Sequence, residues 1–351
     1  MTTEQLPGDD GGPAQGGLIR AWRVEELGHP SVSLRLREIA RPEPLPGQVR
    51  IVVEATNVNF ADILICQGIY QDRPGVPLTP GTESCGIVDA VGEGVTEQFG
   101  LRVGDRVAGL ADLRHGGYAE SALLKAATIL PIPADLDAAD ATVLYSTFQT
   151  AHVGLFHRGG LEAGQWVLVH GAASGVGAAA VQLAVARGAR VAATAGGPAK
   201  VAYCRALGAE LVVDSSGEDP AAVVYAAVMA ATDGAGVEVA FDPVGGVLGD
   251  VTRRLMAWEG RLVVIGFASG TIPQYPGNHI LVKNYAVLGM AWAEYALRRR
   301  PVVEAAHDEI LTWHRAGRIR TDVTRVGLHD VPAALASLEA RTVTGRLAMI
   351  P

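Results

Sequence analysis

The sequence predicts a two-domain α/β protein, in which a β-rich domain is followed by a doubly wound parallel sheet. The chain has 351 residues, of which 49% are hydrophobic, enough for two domains of ordinary size with large buried cores. Residues 18 to about 130 contain short β-like runs separated by Gly and Pro. From about Ala138 the pattern changes, and apolar strands alternate with alanine-rich helices.

The β-rich part begins after residues 1–17, a polar segment rich in Gly and Pro that we expect to be a disordered tail. Beyond it, runs of β-favouring residues bounded by turn residues predict strands at 49–53, 84–91, 106–108 and 118–123. Short strands at this spacing are typical of a domain built on a sheet.

The second part alternates two kinds of segment. Apolar runs predict strands at 166–170, 189–194, 210–213, 237–241 and 261–265, and alanine-rich segments predict helices at 177–186 and 200–207. Strands that alternate with helices form a parallel sheet with both faces covered. Two amphipathic helices, 302–316 and 331–340, precede a final strand at 346–350, which we expect to return to the first domain.

A turn of small residues, Ala172-Ala173-Ser174-Gly175-Val176-Gly177, joins the first strand of this sheet to a helix. Such a turn lets backbone amides approach a pyrophosphate at a helix N-terminus, where the partial positive charge favours anions. A second strand follows at the spacing of a βαβ unit, and Gly196 stands where a carboxylate would bind the ribose 2′-hydroxyl. Because Lys200 lies just beyond Gly196, we predict a 2′-phosphate there and NADPH as the cofactor.

Composition bounds the kind of partner. The formal net charge of −8 gives no general attraction to nucleic acid or to anionic membranes, and no apolar run reaches membrane-spanning length. The three cysteines, Cys66, Cys85 and Cys204, lack metal-type spacing, and their odd number favours reduced thiols in a cytoplasmic compartment. We therefore expect a small-molecule partner, with no nucleic acid and no membrane.

Six further strings stand in a fixed order along the chain. They are Asn57-Val58-Asn59-Phe60-Ala61-Asp62, Gly68-Ile69-Tyr70, Pro80-Gly81-Thr82-Glu83, Val91-Gly92-Glu93-Gly94-Val95, Phe241-Asp242-Pro243-Val244-Gly245-Gly246 and Gly266-Phe267-Ala268-Ser269-Gly270. Together with the phosphate turn, they resemble the zinc-free quinone oxidoreductase branch of the medium-chain dehydrogenases/reductases. The resemblance extends over nearly the whole chain after the tail.

This resemblance implies a domain organisation. Residues 18–145 and 293–351 would form a GroES-like catalytic domain, and residues 146–292 a Rossmann-like domain that binds NADPH. The cofactor would lie in the cleft between them. Dimers joined through the cofactor domains are common in this family, so we expect a homodimer.

Two substitutions bear on metal binding. Zinc-dependent relatives supply a cysteine where Asn59 stands and a histidine where Thr82 stands, and neither substitute replaces the lost ligand. The structural zinc of those relatives needs four closely spaced cysteines, and residues 91–124 contain none. The nine histidines are scattered singly along the chain. We therefore expect no metal.

The resemblance also implies site residues. Asn59, through its amide, and Tyr70, as a phenolic donor to the substrate oxygen, lie near the nicotinamide end and are the candidate catalytic residues. An Asx-type turn at Asn59 and a packed aromatic ring at Tyr70 are the structural alternatives. Asp214 stands where the family often has a tyrosine near the 2′-phosphate, and a carboxylate there would repel that group. The implied cofactor contacts are Asn59, Thr150, Ser174, Gly175, Val176, Gly177, Lys200, Phe267, Ser269 and Arg341.

The predicted function is an NADPH-dependent reductase of quinones or other α,β-unsaturated carbonyls, because a conjugated acceptor delocalises the arriving charge without a metal. An enoyl-thioester reductase shares the fold and the hydride chemistry. The arginine run 298–300 would suit a thioester carrier at the cleft mouth, although a solvated charge cluster is the other interpretation. A non-enzymatic role, in RNA binding or as a structural protein, is opposed by the net acidity and the complete cofactor motif.

Overall fold

The computed structural model of the protein describes residues 17–71 and 73–351. Apart from Gly17, the predicted tail lies outside the described residues. These residues form a β-rich domain, built on a seven-stranded sheet and a two-stranded ribbon, and a six-stranded parallel sheet flanked by helices. The predicted α/β fold class is confirmed.

Fifteen strands occur in the described residues. They are β1 Leu18–Val24, β2 Leu34–Ala40, β3 Gln48–Val58, β4 Glu83–Val91, β5 Arg106–Leu110, β6 Ser121–Lys125, β7 Leu130–Pro131, β8 Trp166–Val169, β9 Arg190–Ala195, β10 Leu211–Asp214, β11 Val237–Asp242, β12 Met256–Val264, β13 Ala286–Gly289, β14 Val323–Gly327 and β15 Arg346–Ile350. Three predicted boundaries are wrong by three residues or more: β6 begins three residues later than the predicted strand 118–123, β3 extends five residues beyond the predicted strand 49–53, and β12 begins five residues before the predicted strand 261–265.

The helices complete the element order. They are α1 Pro30–Ser33, α2 Phe60–Cys66, α3 Val95–Phe99, α4 Ala138–Thr142, α5 Gln149–His152, α6 Gly175–Arg187, α7 Pro198–Ala206, α8 Pro220–Ala231, α9 Gly246–Leu255, α10 Gly277–Lys283, α11 Trp292–Arg298, α12 Arg300–Arg315 and α13 Val331–Glu339. Short 3₁₀ turns lie at Leu113–His115, Ala126–Thr128 and Leu328–Asp330. The predicted helices near 177–186, 200–207, 302–316 and 331–340 are confirmed as α6, α7, α12 and α13.

The seven-stranded sheet has the order β14-β15-β3-β4-β5-β7, and β6 pairs with β3 outside this path. The last strand, β15, runs parallel to β14 and antiparallel to β3, so its predicted return to the first domain is confirmed. Leu347 of β15 lies opposite Val58 of β3. This register brings Arg346, the first residue of β15, beside Asn59, which follows the end of β3.

The six-stranded sheet is parallel throughout, with the order β10-β9-β8-β11-β12-β13. The chain runs outward from β8 to β10 and then crosses to β11 on the other side of β8. In such sheets, ligands bind beyond the carboxyl ends of the strands where the order reverses. The predicted phosphate turn follows β8 directly, at this reversal.

A continuous helical segment, residues 138–158, leads from the β-rich domain to the parallel sheet. Within it, Val143–Phe148 and Val153–Arg158 have π-helical hydrogen bonding, and α5 lies between them. The segment packs into a core that joins Cys85 of the first domain to Val167 of the second. Stretches of π-helix are frequent at functional sites. The predicted domain boundaries, 18–145 with 293–351 and 146–292, remain a prediction.

Candidate active site

The phosphate turn has a geometry that holds its backbone amides at the start of α6. Ser174 caps the helix, and its Oγ accepts a hydrogen bond from the Gly177 amide at 3.2 Å. A Cβ at Gly177 would lie 2.8 Å from Ala172 Cα, so only glycine fits against the backbone there. The predicted contact residues Ser174, Gly175, Val176 and Gly177 thus form one turn at a helix N-terminus, which suits an anion.

The buried His170 lies directly before this turn and supports it through hydrogen bonds. The sequence prediction missed this residue. Thr252 Oγ1 donates to Leu248 O at 2.6 Å, so it accepts from His170 Nε2, also at 2.6 Å. Nδ1 of His170 then accepts from Thr194 Oγ1 at 3.0 Å, and the same oxygen accepts the Gly171 amide at 3.3 Å. Burial lowers the pKa of His170 and favours the neutral ring that this arrangement requires.

Lys200 lies at the predicted 2′-phosphate position, in the first turn of α7. Its Nζ donates to the carbonyl oxygen of Arg341 at 2.8 Å, so it faces the catalytic domain across the cleft. The Asp214 carboxylate accepts the amides of Gly197, at 2.9 Å, and of Ser216, at 3.0 Å. These hydrogen bonds, that of Gly197 above all, lower the pKa of Asp214. The carboxylate is therefore engaged by its own loop.

Arg341 connects both ends of the crevice. Its carbonyl accepts from Lys200, and its guanidinium donates to the carbonyl of Ala268 at 3.2 Å. Ala268 lies between Phe267 and Ser269, the two residues predicted to cover the nicotinamide ribose. Both are exposed, Phe267 at 41%. The structure therefore brings both Lys200 and this loop into contact with Arg341.

Thr150 lies in α5, between the two π-helical stretches, and is half-buried whereas its neighbours are buried. A series of hydrogen bonds between buried polar groups holds the helical turn that contains Thr150. Trp292 Nε1 donates to Gln149 Oε1 at 3.3 Å, the other end of Gln149 lies 3.4 Å from His307 Nδ1, and His307 Nε2 lies 2.9 Å from Pro131 O. Trp292 is consequently part of the core.

Asn59 is the N-cap of α2 and lies in a polar cluster of the catalytic domain. Its Nδ2 donates to Glu83 Oε2 at 2.5 Å and lies 3.3 Å from Thr82 Oγ1. Its Oδ1 accepts from the guanidinium of Arg346. At the same helix start, the Asp62 side chain at position N3 accepts the backbone amide of Asn59 at 3.0 Å, and the Asx-turn alternative for the Asn59 side chain remains a prediction. Both ends of the side-chain amide are engaged.

Asp62 is a buried acid beneath this cluster. Its carboxylate accepts hydrogen bonds from the amides of Asn59 and Gly81, each at 3.0 Å, and from the hydroxyl of Tyr118 at 2.8 Å. Burial raises the pKa of Asp62 to about 7, although these donors act in the opposite direction. Tyr118 was predicted to begin this strand. It lies before β6 instead, and its hydroxyl donates to Asp62.

Tyr70 lies in the loop after α2, four residues beyond the last residue of that helix. It is half-buried and packs against the core of the β-rich domain, and its carbonyl accepts from Arg73 Nε at 3.1 Å. Because α2 spans about 10 Å, Asn59 and Tyr70 stand at opposite ends of one short helix. The aromatic ring packs against the core, and the role of the hydroxyl as a donor remains a prediction.

Arg346 is the functional candidate that the sequence prediction missed. A Cβ on Gly175 would collide with the Arg346 side chain, so this arginine lies directly over the first residue of α6. Its Nε is buried and has no hydrogen-bond partner among the described residues. A guanidinium binds phosphate with paired N–H donors. Arg346 is thus suited to hold an anion at the phosphate turn, together with the first backbone amides of α6, those of Gly175 and Val176.

The residues present fit a dinucleotide but do not fit a catalytic zinc. Asn59 and Thr82 approach each other at 3.3 Å, and a guanidinium already lies on the amide oxygen of Asn59. A cation there would be repelled, and neither side chain is a customary zinc ligand. Within residues 17–71 and 73–351, no group of three or more His, Cys, Asp or Glu side chains is arranged to hold a metal ion.

Two arginines of the run 298–300 form ion pairs with nearby glutamates. Arg298 pairs with Glu294 at 2.5 Å, and Arg300 pairs with Glu304 at 2.7 Å. Arg300 also donates to the carbonyls of Ala127 and Ile129, each at 2.9 Å. The contacts of Arg300 favour a structural role for this arginine, whereas Arg298 is 77% exposed and pairs within its own helix.

The parallel sheet has a crevice where its strand order reverses, and this crevice faces polar side chains of the β-rich domain. These two features define the class of two-domain dinucleotide-dependent oxidoreductases. Two family models match the chain accordingly. Residues 45–134 match the alcohol dehydrogenase GroES-like domain, and residues 175–310 match the model described as zinc-binding dehydrogenase. The second description names a metal that the residues at this site do not fit.

Relatives and solved structures agree with these matches. A quinone oxidoreductase-like protein 2 homolog from Nematostella vectensis is 35% identical over 332 residues, covering 93% of this chain and 88% of the relative. The mycobacterial protein Rv1454c complexed with NADPH has a TM-score of 0.87 and 30% identity, covering 95% of this chain and 100% of that one. Escherichia coli quinone oxidoreductase complexed with NADPH has a TM-score of 0.85 and 26% identity, with the same coverage.

The chain belongs to the quinone oxidoreductase branch of the medium-chain dehydrogenase/reductase superfamily. The predicted GroES-like and Rossmann-like domains are thereby confirmed, and the protein is an oxidoreductase by family. Across the part of the chain that the structure describes, no helix combines the length and apolarity needed to span a bilayer.

Proposed function

We propose that this protein is an NADPH-dependent reductase that transfers hydride to quinones or other α,β-unsaturated carbonyls without a metal. One observation carries the proposal. The phosphate turn and the polar cluster of the catalytic domain meet across the cleft, where Arg346 covers Gly175 and donates to Asn59. A dinucleotide at the turn would therefore extend toward Asn59 and Thr150, the predicted nicotinamide contacts.

NADPH is the cofactor. Two structural neighbours are complexes with NADPH, and this chain presents matching groups along its crevice. Residues 174–177 lie against the pyrophosphate, with the backbone amides of Gly175 and Val176 as donors, and Arg346 adds a positive charge beside them. Lys200 holds the 2′-phosphate, since Gly196 supplies no carboxylate of its own for the ribose 2′-hydroxyl, and the positive charge of Lys200 offsets the repulsion by the ionised Asp214 on the Gly197 amide.

NADPH supplies the hydride when it is bound, and the chain supplies the surroundings. Thr150 contacts the nicotinamide side from the crossing helix, and Phe267 and Ser269 cover the ribose. Tyr70 donates a hydrogen bond, or a proton, to the oxygen of the acceptor as negative charge develops on it. Asn59 contributes through its amide, whose Nδ2 donates to Glu83 and Thr82.

A metal-free reaction is part of the proposal. The guanidinium on Asn59 supports it, because this positive charge lies where zinc-dependent relatives have a ligand. A conjugated acceptor spreads the arriving charge over its own π system, so a Lewis acid is not required. Hydrogen-bond donors in a dry cleft then supply the stabilisation.

An acceptor panel tests the proposal. Benzoquinones, naphthoquinones, enones and enoyl thioesters would be compared at saturating NADPH, with oxidation followed by loss of nicotinamide absorbance. We expect turnover with quinones or enones, and a higher kcat/KM with NADPH than with NADH. Preference for enoyl thioesters by more than about tenfold would favour the alternative function, an enoyl-thioester reductase. No turnover with any acceptor, together with RNA retention in a filter-binding assay, would favour the non-enzymatic alternative.

A homodimer joined through the cofactor domains is the proposed assembly. The edge strand β13 ends the parallel sheet, and Leu281 and Val282 in the preceding helix are 78% and 76% exposed. Light scattering should give twice the chain mass, and Leu281→Glu should shift it toward the monomer.

A cytoplasmic location is also proposed, since the three cysteines are free and buried.

A further inference from the structure

One side chain joins the two halves of the site. Arg346 begins β15 in the catalytic sheet, and its side chain extends over Gly175 at the start of α6. The same guanidinium donates to Oδ1 of Asn59. A movement of this guanidinium at the turn must therefore also change the hydrogen bonding of Asn59 Oδ1.

The amide of Asn59 has little freedom while this contact holds. A side-chain amide has two N–H protons and one oxygen. Nδ2 faces Glu83 and Thr82, at 2.5 and 3.3 Å, and the oxygen receives Arg346. Both protons are directed at protein groups, so Asn59 has no donor left for another molecule in this arrangement.

Arg346, by contrast, has a donor to spare. Its Nε is buried without a hydrogen-bond partner among the described residues, and burial lowers the pKa of the guanidinium. An anion at the α6 N-terminus would offer both charge and acceptor oxygens to this group. Guanidinium binds phosphate oxygens more strongly than a neutral amide oxygen, because both partners are then ionised.

We propose that Arg346 is a positioning residue that couples binding of an anion at the phosphate turn to release of the Asn59 amide. An anion draws the guanidinium away from Asn59 Oδ1, and the amide is then held only by Glu83 and Thr82. Asn59 becomes able to reorient toward the reacting groups only after the turn is filled. The inference rests on the proposed function in one respect, namely that the anion is the pyrophosphate of NADPH.

Inorganic pyrophosphate is the probe that tests this coupling without turnover. Its affinity would be measured by calorimetry, and the ¹⁵N side-chain amide signals of Asn59 would be followed by NMR, assigned from their loss in Asn59→Ser. In the parent protein, pyrophosphate should bind and shift these signals. In Arg346→Gln it should bind about tenfold more weakly, as expected for loss of one charge-assisted hydrogen bond, and the Asn59 signals should no longer respond.

Arg325→Gln is the matched control. Arg325 lies opposite Ala348 on the neighbouring strand, is 59% exposed and pairs with Asp137. Its loss removes one positive charge from the same sheet without touching Gly175 or Asn59, so both readouts should match the parent. Unchanged pyrophosphate affinity in Arg346→Gln, or an Asn59 response equal to that of the parent, would overturn the proposal.

Arg346→Lys keeps the test decisive if Arg346→Gln does not fold. Lysine preserves the charge but not the planar pair of donors. Pyrophosphate affinity should then recover to within about threefold of the parent, while the Asn59 shift falls below half. A full Asn59 shift in Arg346→Lys would contradict the coupling.

The coupling and the proposed function fail in different ways. If the parent reduces quinones with NADPH but pyrophosphate leaves Asn59 unchanged, the coupling is wrong and the function stands. If no acceptor is reduced but pyrophosphate still shifts Asn59 through Arg346, the function is wrong and the coupling stands.

Discussion

The two sides of the cleft are built in opposite ways. The phosphate turn comes from consecutive residues, 171–177, whose backbone is fixed by hydrogen bonds of the Gly177 amide to Ser174 Oγ and of the Gly171 amide to Thr194 Oγ1. The facing cluster is assembled from Asn59, Glu83 and Arg346, and its longest contact joins residues 287 positions apart. One side depends on the absence of side chains, and the other on side-chain charge and hydrogen bonding.

This difference predicts different sensitivities. A backbone site fails when a side chain is added, because its neighbours are main-chain atoms that cannot move away. A side-chain site tolerates changes in shape but responds to changes in charge, donors and pH. Substitutions on each side of the cleft test that distinction.

Gly177→Ala should strongly weaken cofactor binding on the backbone side. The new Cβ would lie 2.8 Å from Ala172 Cα, and overpacking of this kind weakens NADPH binding by about a hundredfold. Fluorescence titration with NADPH measures it, with melting temperature recorded alongside. Gly217→Ala is the control, because no atom lies within 4 Å of its added Cβ. Equal affinity in Gly177→Ala and the parent would show that the turn is not the binding site.

Tyr70→Phe tests the side-chain half while retaining the packed ring. If the hydroxyl is the donor to the acceptor oxygen, kcat at saturating NADPH should fall on the order of a hundredfold, as for loss of one oxyanion donor. The affinity for NADPH should stay the same. An unchanged kcat for every acceptor would assign Tyr70 to packing alone.

Lys200→Met tests the ribose edge of the cofactor domain, where a side chain rather than the backbone is proposed to bind the cofactor. The kcat/KM for NADPH should fall about tenfold, since one charge-assisted contact is lost, and that for NADH should not change. Lys283→Met is the matched control, because Lys283 also donates to a carbonyl, that of Arg254 at 2.7 Å. A parallel loss with both cofactors would remove Lys200 from the 2′-phosphate site.

Asp62→Asn should change how stability depends on pH. Because burial raises the pKa of Asp62 to about 7, the folded protein holds this proton more tightly than the unfolded chain. Its contribution to stability is therefore full below about pH 4 and is lost as the pH rises to about 7, with a slope of at most ~1.4 kcal/mol per pH unit. Urea unfolding of both proteins from pH 5 to pH 8 measures it.

In that experiment, the free energy of unfolding of Asp62→Asn relative to the parent should rise with pH. Asparagine lacks one of the acceptor oxygens that Asn59, Gly81 and Tyr118 use, so the variant should be less stable at pH 5. A difference that is constant across the range would mean that Asp62 is ionised throughout.

The same contrast explains what the sequence predicted. The phosphate turn was predicted because its small residues are adjacent and follow an apolar strand, and the strands that form the centre of the parallel sheet were predicted from their buried runs. The strands β1, β2, β13 and β14 were not predicted, because edge strands are partly exposed and mix polar with apolar residues.

The side-chain cluster was visible only in part. Asn59 was identified through a resemblance, but its partners Glu83 and Arg346 come from β4 and β15, and their meeting depends on the register of β15 against β3. The strand at 346–350 was predicted, yet nothing in its pattern shows that its first residue reaches the phosphate turn. Contacts that depend on two strands and two domains are not encoded in local spacing.

The most direct test is to measure metal content and turnover on the same sample. Purified protein would be dialysed against a strong chelator, assayed for zinc, and supplied with NADPH and a benzoquinone. The account predicts less than about 0.1 zinc per chain and undiminished NADPH oxidation, because the Arg346 guanidinium lies on Asn59 where zinc-dependent relatives have a ligand. Stoichiometric zinc that is lost together with activity, and restored with it, would contradict the account.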